Sequence, residues 1–474
     1  MQTGKMKGKL LLFGIITLFS IGLLAFLPID TEGVWLSFLI SVLIQQGLFY
    51  YHLFIEKTWS PFLSAFLVFT FLFFSVAPIV QIASFENANP KFETLFPYDK
   101  GLTVYTNILI CMFNVIFTGA YLFFKRNLKS TKIVPVIIQD RYTPLFIMLL
   151  AGIAILTFLA SLGFVVDEIR RPAWMPSDFS KTSTLVWKKF FFFLPFTGII
   201  LCVEYFKRKS TNPKNMLFVL GAILLFGVLI FWFKNPFNEK RHALGPVYFT
   251  LIYLFVPKIF NTNFKTLLFL FLIMVIAFPA SALFTHTDAT FAEILRTPTV
   301  LLEDSKGGTI TSAFNTLNYD AFSNILATID YTTIYGLSWG YQLLCTLLFF
   351  VPRSIWTSKS VATGELIGNH LMERYDFKYN NLSNPIVSEF YINFGVIGVC
   401  IAAVLLAWFL VFFIKWLQSK SPLKRIMAFY FAIHLIFLLR GDLINGFSYY
   451  IGPIFAVILA PKAFYYFASL KIKK

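Results

Sequence analysis

At least twelve apolar runs, most of them long enough to cross a bilayer, are separated by loops whose positive charge falls on one side only. A spanning helix needs about 20 apolar residues, and the runs at 10–29, 34–54, 60–83, 102–124, 142–166, 190–206, 215–233, 243–260, 266–284, 386–414, 426–439 and 449–467 mostly approach or exceed that length. Two runs, 336–351 and 426–439, are ambiguous by length, and charge arbitrates between them. If the first does not span and the second does, 23 of the 40 Lys and Arg fall on one side against three acids, Glu56, Asp140 and Glu204. That side nets +20 and the other −3. The positive-inside rule then places both termini in the cytoplasm. Spanning by 336–351 would throw Lys415, Lys420, Lys424 and Arg425 outward, so that run is expected to be re-entrant or interfacial.

The expected fold is an all-α polytopic bundle of about twelve spanning helices plus the re-entrant one. Nine spans fall in residues 1–284, a large extracytoplasmic loop occupies 285–385, and three spans follow in 386–474. The overall charge of +17 is a topology signal, because no basic patch lies outside the short loops where that rule puts it. Nucleic acid is therefore not an expected partner. The N-terminal run lacks a small-x-small cleavage site near 26–29 and is expected to be retained as a helix. The four cysteines, Cys111, Cys202, Cys345 and Cys400, sit inside apolar runs with no Cys-x-x-Cys, as ordinary buried residues do.

The chain has no Walker-type loop, no His-Glu-x-x-His, no Cys/His cluster and no Asp-x-Asp, so no cofactor and no metal are expected. His286 and Asp288 are too sparse for a metal site. The long loop is where chemistry is expected, since long loops without structure are uncommon unless functional. Within it, Phe314, Leu317, Ala321, Ile325 and Thr328 recur at helical steps over 313–329 and predict an amphipathic helix along the membrane surface. Trp339, Tyr341 and Trp356 suit either an interfacial belt or sugar stacking.

Four clusters concentrate ionisable groups on the extracytoplasmic side. Glu239, Lys240, Arg241 and His242 sit between two spans, where an Arg can fork two hydrogen bonds to a phosphate or simply snorkel. Arg353, Trp356 and Lys359 follow the re-entrant run as an anion mouth. Glu389 opens a spanning helix in SEFYINFGVIG, where Gly395 and Gly398 would allow close helix contact; the helix dipole alone also explains an acid there. Arg440 and Asp442 adjoin, and their charges could pair with each other.

Taken together, Arg241 in NEKRHALGP, PRSIWTSK at 352–359 and SEFYINFGVIG at 388–398 resemble the Wzy-type oligosaccharide repeat-unit polymerases, or O-antigen polymerases. The resemblance is strongest over 234–400. It implies a bacterial inner-membrane enzyme, acting at the periplasmic or outer face on undecaprenyl-pyrophosphate-linked glycans as donor and acceptor. A chain-length regulator is a further implied partner beside membrane lipid. Breaking the bond to a polyprenyl pyrophosphate calls for fixed positive charge, with Arg241 first and Arg353 and Arg440 as second clamps. Lys240, His242, Lys359 and Trp356 would bind pyrophosphate or glycan. The acceptor hydroxyl calls for a general base, with Glu389 first and His370 and Glu239 in reserve. An O-antigen ligase, using the same donor, and a lipid-linked oligosaccharide flippase are the competing expectations.

Overall fold

The computed structural model describes residues 2–27, 32–83, 99–126, 141–170, 179, 186–209, 213–236, 239–278 and 314–470. Among these the chain is helical, with no β-strand. Ten helices are long and apolar enough to cross a membrane: Met6–Ala25, Gly33–Ile55, Pro61–Ala83, Lys100–Arg126, Thr143–Ile169, Val186–Arg208, Pro213–Phe233, Ile386–Leu417, Pro422–Arg440 and Leu443–Leu470. The protein is an all-α, multi-pass membrane protein. The run at 426–439, ambiguous by length, belongs to a 19-residue helix.

Two expected spans are shorter as helices. Arg241–Phe255 has 15 residues, about 22 Å, and stops before Pro257, which opens a 3-10 turn. Asn263–Leu272 begins where the Thr262 hydroxyl accepts the Lys265 amide at 3.2 Å, and a π turn continues it to Ala277. The remainder of that expected span lies outside the described residues, as do His286 and Asp288.

The chain packs as two compact units, each discontinuous in sequence. The first comprises Met1–Lys129, Ile259–Phe412 and Leu435–Gly446. Its centre is the Pro61–Phe71 helix, capped by the Ser60 hydroxyl accepting the Leu63 amide, with Pro61 supplying a pre-set φ at the first position. This helix is buried throughout and packs on Glu32–Tyr50 and Asn263–Leu272. Beyond its start, the buried Glu56 carboxylate accepts from His52 at 2.5 Å, from the Tyr121 hydroxyl at 2.7 Å and from Lys125. Burial would raise that carboxyl, but His52 and Lys125 outweigh it and hold it below its usual range. The second unit comprises Ser130–Lys258, Phe413–His434 and Phe447–Lys474. There Leu194–Lys209 packs on Pro213–Phe233 and on Thr143–Arg170.

Of the long loop, 314–385 is described. The amphipathic surface helix expected over 313–329 is not found in that form. A 3-10 turn at Leu317–Tyr319 precedes a helix at Ala321–Tyr335, whose first nine residues are buried on every side. Its polar positions are matched internally: Asn324 Nδ2 donates to the Ser383 carbonyl at 2.5 Å, and the Thr328 hydroxyl to Asn384 Oδ1 at 3.2 Å. The 336–351 run holds only a seven-residue helix, Tyr341–Leu347, too short to cross.

The Ile386–Leu417 helix is broken inside. Phe394 and Gly395 leave helical geometry, Gly395 with φ 59° and ψ −140°, a conformation that only glycine adopts without strain. The break exposes carbonyls that the helix would otherwise satisfy. The Ser338 amide donates to the Ile392 carbonyl at 2.9 Å, and the Trp339 amide to that of Asn393 at 3.0 Å.

Candidate functional site

The first unit gathers several of the expected residues around the Thr363–Tyr375 helix. Gly364 and Gly368 let this helix lie directly on the chain at 380–382. A Cβ on Gly364 would meet the Leu382 carbonyl oxygen at 2.0 Å, and one on Gly368 the Asn380 backbone at 2.5 Å. That close approach positions Thr363 at the helix start and His370 two turns further along the same face, about 10 Å away along the axis.

At the first position, the Thr363 hydroxyl donates to Glu389 Oε1 and lies 3.4 Å from Asp442 Oδ1. Glu389 also accepts the Leu443 amide at 2.8 Å, and Asp442 accepts the Gly364 amide at 2.8 Å. Both acids are buried, Glu389 to 1% exposure. Burial raises the Asp442 carboxyl above its usual range, against the hydrogen bonds that favour its charge. The expected pairing of Arg440 with Asp442 is not what forms. Arg440 reaches Asp320 Oδ1 at 3.3 Å and the Leu317 carbonyl at 2.8 Å, because Asp442, with φ 31°, turns its side chain toward Gly364 and Asn445. Arg440 is thereby tied to the buried start of the 321–335 helix.

At the second position, His370 Nε2 lies 2.8 Å from Asp330 Oδ2, which also accepts the Tyr375 hydroxyl at 3.0 Å. A carboxylate only accepts, so Nε2 carries the proton, and in the neutral form of the ring Nδ1 holds the lone pair. That Nδ1 is buried and has no hydrogen-bond partner. The rings of Tyr331, Tyr335 and Tyr375 meet the imidazole nearly at right angles, with centroids 5.5, 5.8 and 6.1 Å away. Tyr335 is 58% exposed, so one face of this aromatic set is open.

The expected anion mouth after the re-entrant run is differently employed. The Lys359 ammonium donates to the carbonyls of Leu348, Phe349 and Val351 at 2.9, 3.0 and 3.0 Å, closing the end of the short helix as a C-terminal cation does. Trp356 donates to the Ser358 hydroxyl and meets Tyr341 edge-on at 5.9 Å. Arg353 is exposed and bonds the Ser360 carbonyl at 3.3 Å. Gly398 does bring backbone close, but within its own chain segment: a Cβ there would meet the Phe390 carbonyl oxygen at 2.0 Å across the helix break.

Glu239, Lys240, Arg241 and His242 belong to the second unit. Glu239 is buried between Lys188 and Lys234, at 3.5 and 3.6 Å. Burial raises its carboxyl, yet the charges of Lys234 and Lys188 prevail and hold it below the usual range. His242 meets Tyr449 edge-on at 5.3 Å. Lys240 and Arg241 open the Arg241–Phe255 helix.

Sequence reasoning missed Asp330, Thr363 and the two lysines Lys188 and Lys189. Each is polar at the end of an apolar stretch and carries no motif. Among the described residues no three His, Cys, Asp or Glu side chains converge as a metal set. No family model, no curated protein and no solved structure matches the chain.

Proposed function

We propose that this protein is a metal-independent glycosyltransferase that polymerises undecaprenyl-pyrophosphate-linked repeat units into surface polysaccharide at the outer face of a bacterial inner membrane. The Asp330–His370 pair carries this reading. It supplies a base with a defined tautomer, beside tyrosine faces of the kind that stack on sugars, on helices too short to span. In the reaction the neighbouring tyrosine side chains move aside from the buried His370 Nδ1, the acceptor hydroxyl attacks the anomeric carbon of the lipid-linked chain, Nδ1 takes the hydroxyl proton, and the bond to the pyrophosphate oxygen breaks. The lipid pyrophosphate leaves with its electron pair. The Glu389–Asp442 pair fixes the start of the helix that presents His370, so here Glu389 is a positioning residue. Arg353, exposed in the same unit, is the arginine proposed to meet the pyrophosphate.

Deletion of the gene, followed by a gel of the surface glycan, tests the reading. Single repeat units on the lipid anchor are the expected result; full-length polymer would exclude it. Purified protein given lipid-linked repeat unit should extend it, and the His370→Gln variant should leave it unextended. An impermeant thiol reagent should label Asn380→Cys in intact spheroplasts, since Asn380 is exposed on the same loop.

The break at Gly395 supports a second reading, a lipid-linked oligosaccharide flippase, because discontinuous spanning helices line transport pathways. In that case deletion leaves lipid-linked units on the cytoplasmic face and no glycan outside.

A further inference from the structure

The second unit holds a concentration of buried and half-buried lysines that the proposed chemistry of the first unit does not use. Lys188 and Lys189 lie at the start of the Val186–Arg208 span, Lys234 just beyond the Pro213–Phe233 helix, and Glu168 near the end of Thr143–Arg170. They meet at one end of these helices. Lys188 pairs with Glu168 at 2.7 Å and with Glu239 at 3.5 Å, and Lys234 reaches Glu239 at 3.6 Å and the Lys188 carbonyl at 3.3 Å. Lys234 is 1% exposed and Lys189 6%. Among the described residues no carboxylate lies within ion-pair distance of Lys189; its ammonium sits over the Tyr449 ring, 2.6 Å from the centroid.

Three lysine side chains thus face two carboxylates, Glu168 and Glu239. A buried charge without a counter-charge is strongly disfavoured, and burial lowers the Lys234 ammonium despite Glu239. The surroundings are fixed rather than adaptable. Gly452 admits the Lys189 backbone so closely that a Cβ would meet its carbonyl oxygen at 2.0 Å. The Tyr248 hydroxyl holds the Lys234 carbonyl at 2.8 Å, and Glu239 accepts the Lys240 amide at 3.2 Å. A compact polyanion would supply the missing negative charge and accept from several ammonium groups at once.

We propose that Lys188, Lys189 and Lys234 form a largely buried binding site for a phosphate or diphosphate group, with the half-buried Lys188 at its edge and Tyr449 as its floor. The sources of such a group are the headgroup of a polyprenyl diphosphate lipid and free inorganic phosphate or pyrophosphate. The polymerase reading enters only in deciding which source is natural, and the binding test requires no turnover.

The experiment measures binding of inorganic pyrophosphate, farnesyl diphosphate and farnesol to the purified full-length protein in detergent, by thermal shift and calorimetry. Both diphosphates, or farnesyl diphosphate alone, should bind saturably, and farnesol should not. Preference for farnesyl diphosphate identifies a lipid source, and equal affinity identifies the phosphate group itself; either supports the site. Lys189→Met and Lys234→Met should each weaken binding at least tenfold, while Lys258→Met should not. Unchanged affinity in both variants, or no diphosphate binding to the wild type, overturns the proposal. Where Lys234→Met fails to fold, an amine-reactive footprint of the wild type decides: pyrophosphate should slow modification of the half-buried Lys188 at least fivefold relative to Lys258, and equal rates overturn the proposal. Loss of this site in the binding assay with polymerisation intact would leave the polymerase reading standing, and the reverse outcome would leave the site standing.

Discussion

Glu389 and Asp442, 53 positions apart in sequence, face the same hydroxyl, that of Thr363. One hydroxyl has one proton to give, and it goes to Glu389, so Asp442 relies on the Gly364 amide and on Asn445. The Asp442 carboxyl is raised by burial, so its folded pKa lies above its unfolded one. The sign follows: the stability it contributes is fully present below the ordinary aspartate value of about 3.9 and is lost as pH rises through the raised folded value. Thermal denaturation in detergent should therefore show the wild type losing stability across that interval, and Asp442→Asn should flatten the dependence. A variant with the wild-type pH profile would mean that Asp442 is not the group responsible.

Gly395 is irreplaceable for a backbone reason. At φ 59° and ψ −140°, an alanine is strained by about 1–3 kcal/mol, and relief by straightening the helix would strand the Ser338 and Trp339 amides. Gly395→Ala should lower the melting temperature by several degrees. Gly14→Ala, in a helix with no atom within 4 Å of the new methyl, should not. Equal melting temperatures would mean that the break is not required.

Arg440 and Asp320 form a pair that is costly to halve. Asp320 is buried, and burial raises its carboxyl even with Arg440 beside it. Arg440→Met removes the counter-charge and should cost about 3–5 kcal/mol, seen as lower yield and melting temperature. Adding Asp320→Leu should recover part of that loss. A double variant no better than the single one would place the cost in lost packing instead of charge.

The bundle was legible because each apolar run states its own length. The 336–351 run, expected on charge not to span, holds only the seven-residue helix Tyr341–Leu347. Other features depend on residues far apart in sequence. The surface helix expected over 313–329 rested on a helical stripe that ended in Thr328, but Thr328 and Asn324 find partners at Asn384 and Ser383, so residues on every side of the helix can be buried. Arg440 looked paired to its neighbour Asp442 until the turn at Gly441 sent the two side chains to different partners. Lys359 looked like an anion ligand, although a lysine twelve residues past the end of a short helix reaches the carbonyls that follow it equally well. Lys188 and Lys189 read as the end of a loop, and only tertiary packing buries Lys189 and half-buries Lys188.

His370 offers the sharpest test of the proposed chemistry. Its Nε2 proton is held by Asp330, which leaves the Nδ1 lone pair to take the acceptor proton. His370→Gln keeps a polar side chain of similar reach but no base, and should lower the polymerisation rate by about 10² to 10⁴. Asp330→Asn keeps the size of the partner and weakens its hold on the ring, so kcat should fall while KM stays within about twofold. Tyr375→Phe removes only the second donor to Asp330 and should cost less than either. Measured on purified lipid-linked repeat unit, with binding of the substrate followed separately, His370→Gln should bind as the wild type does and fail to extend. Extension at the wild-type rate by His370→Gln would remove histidine from the mechanism and return the role of base to Glu389.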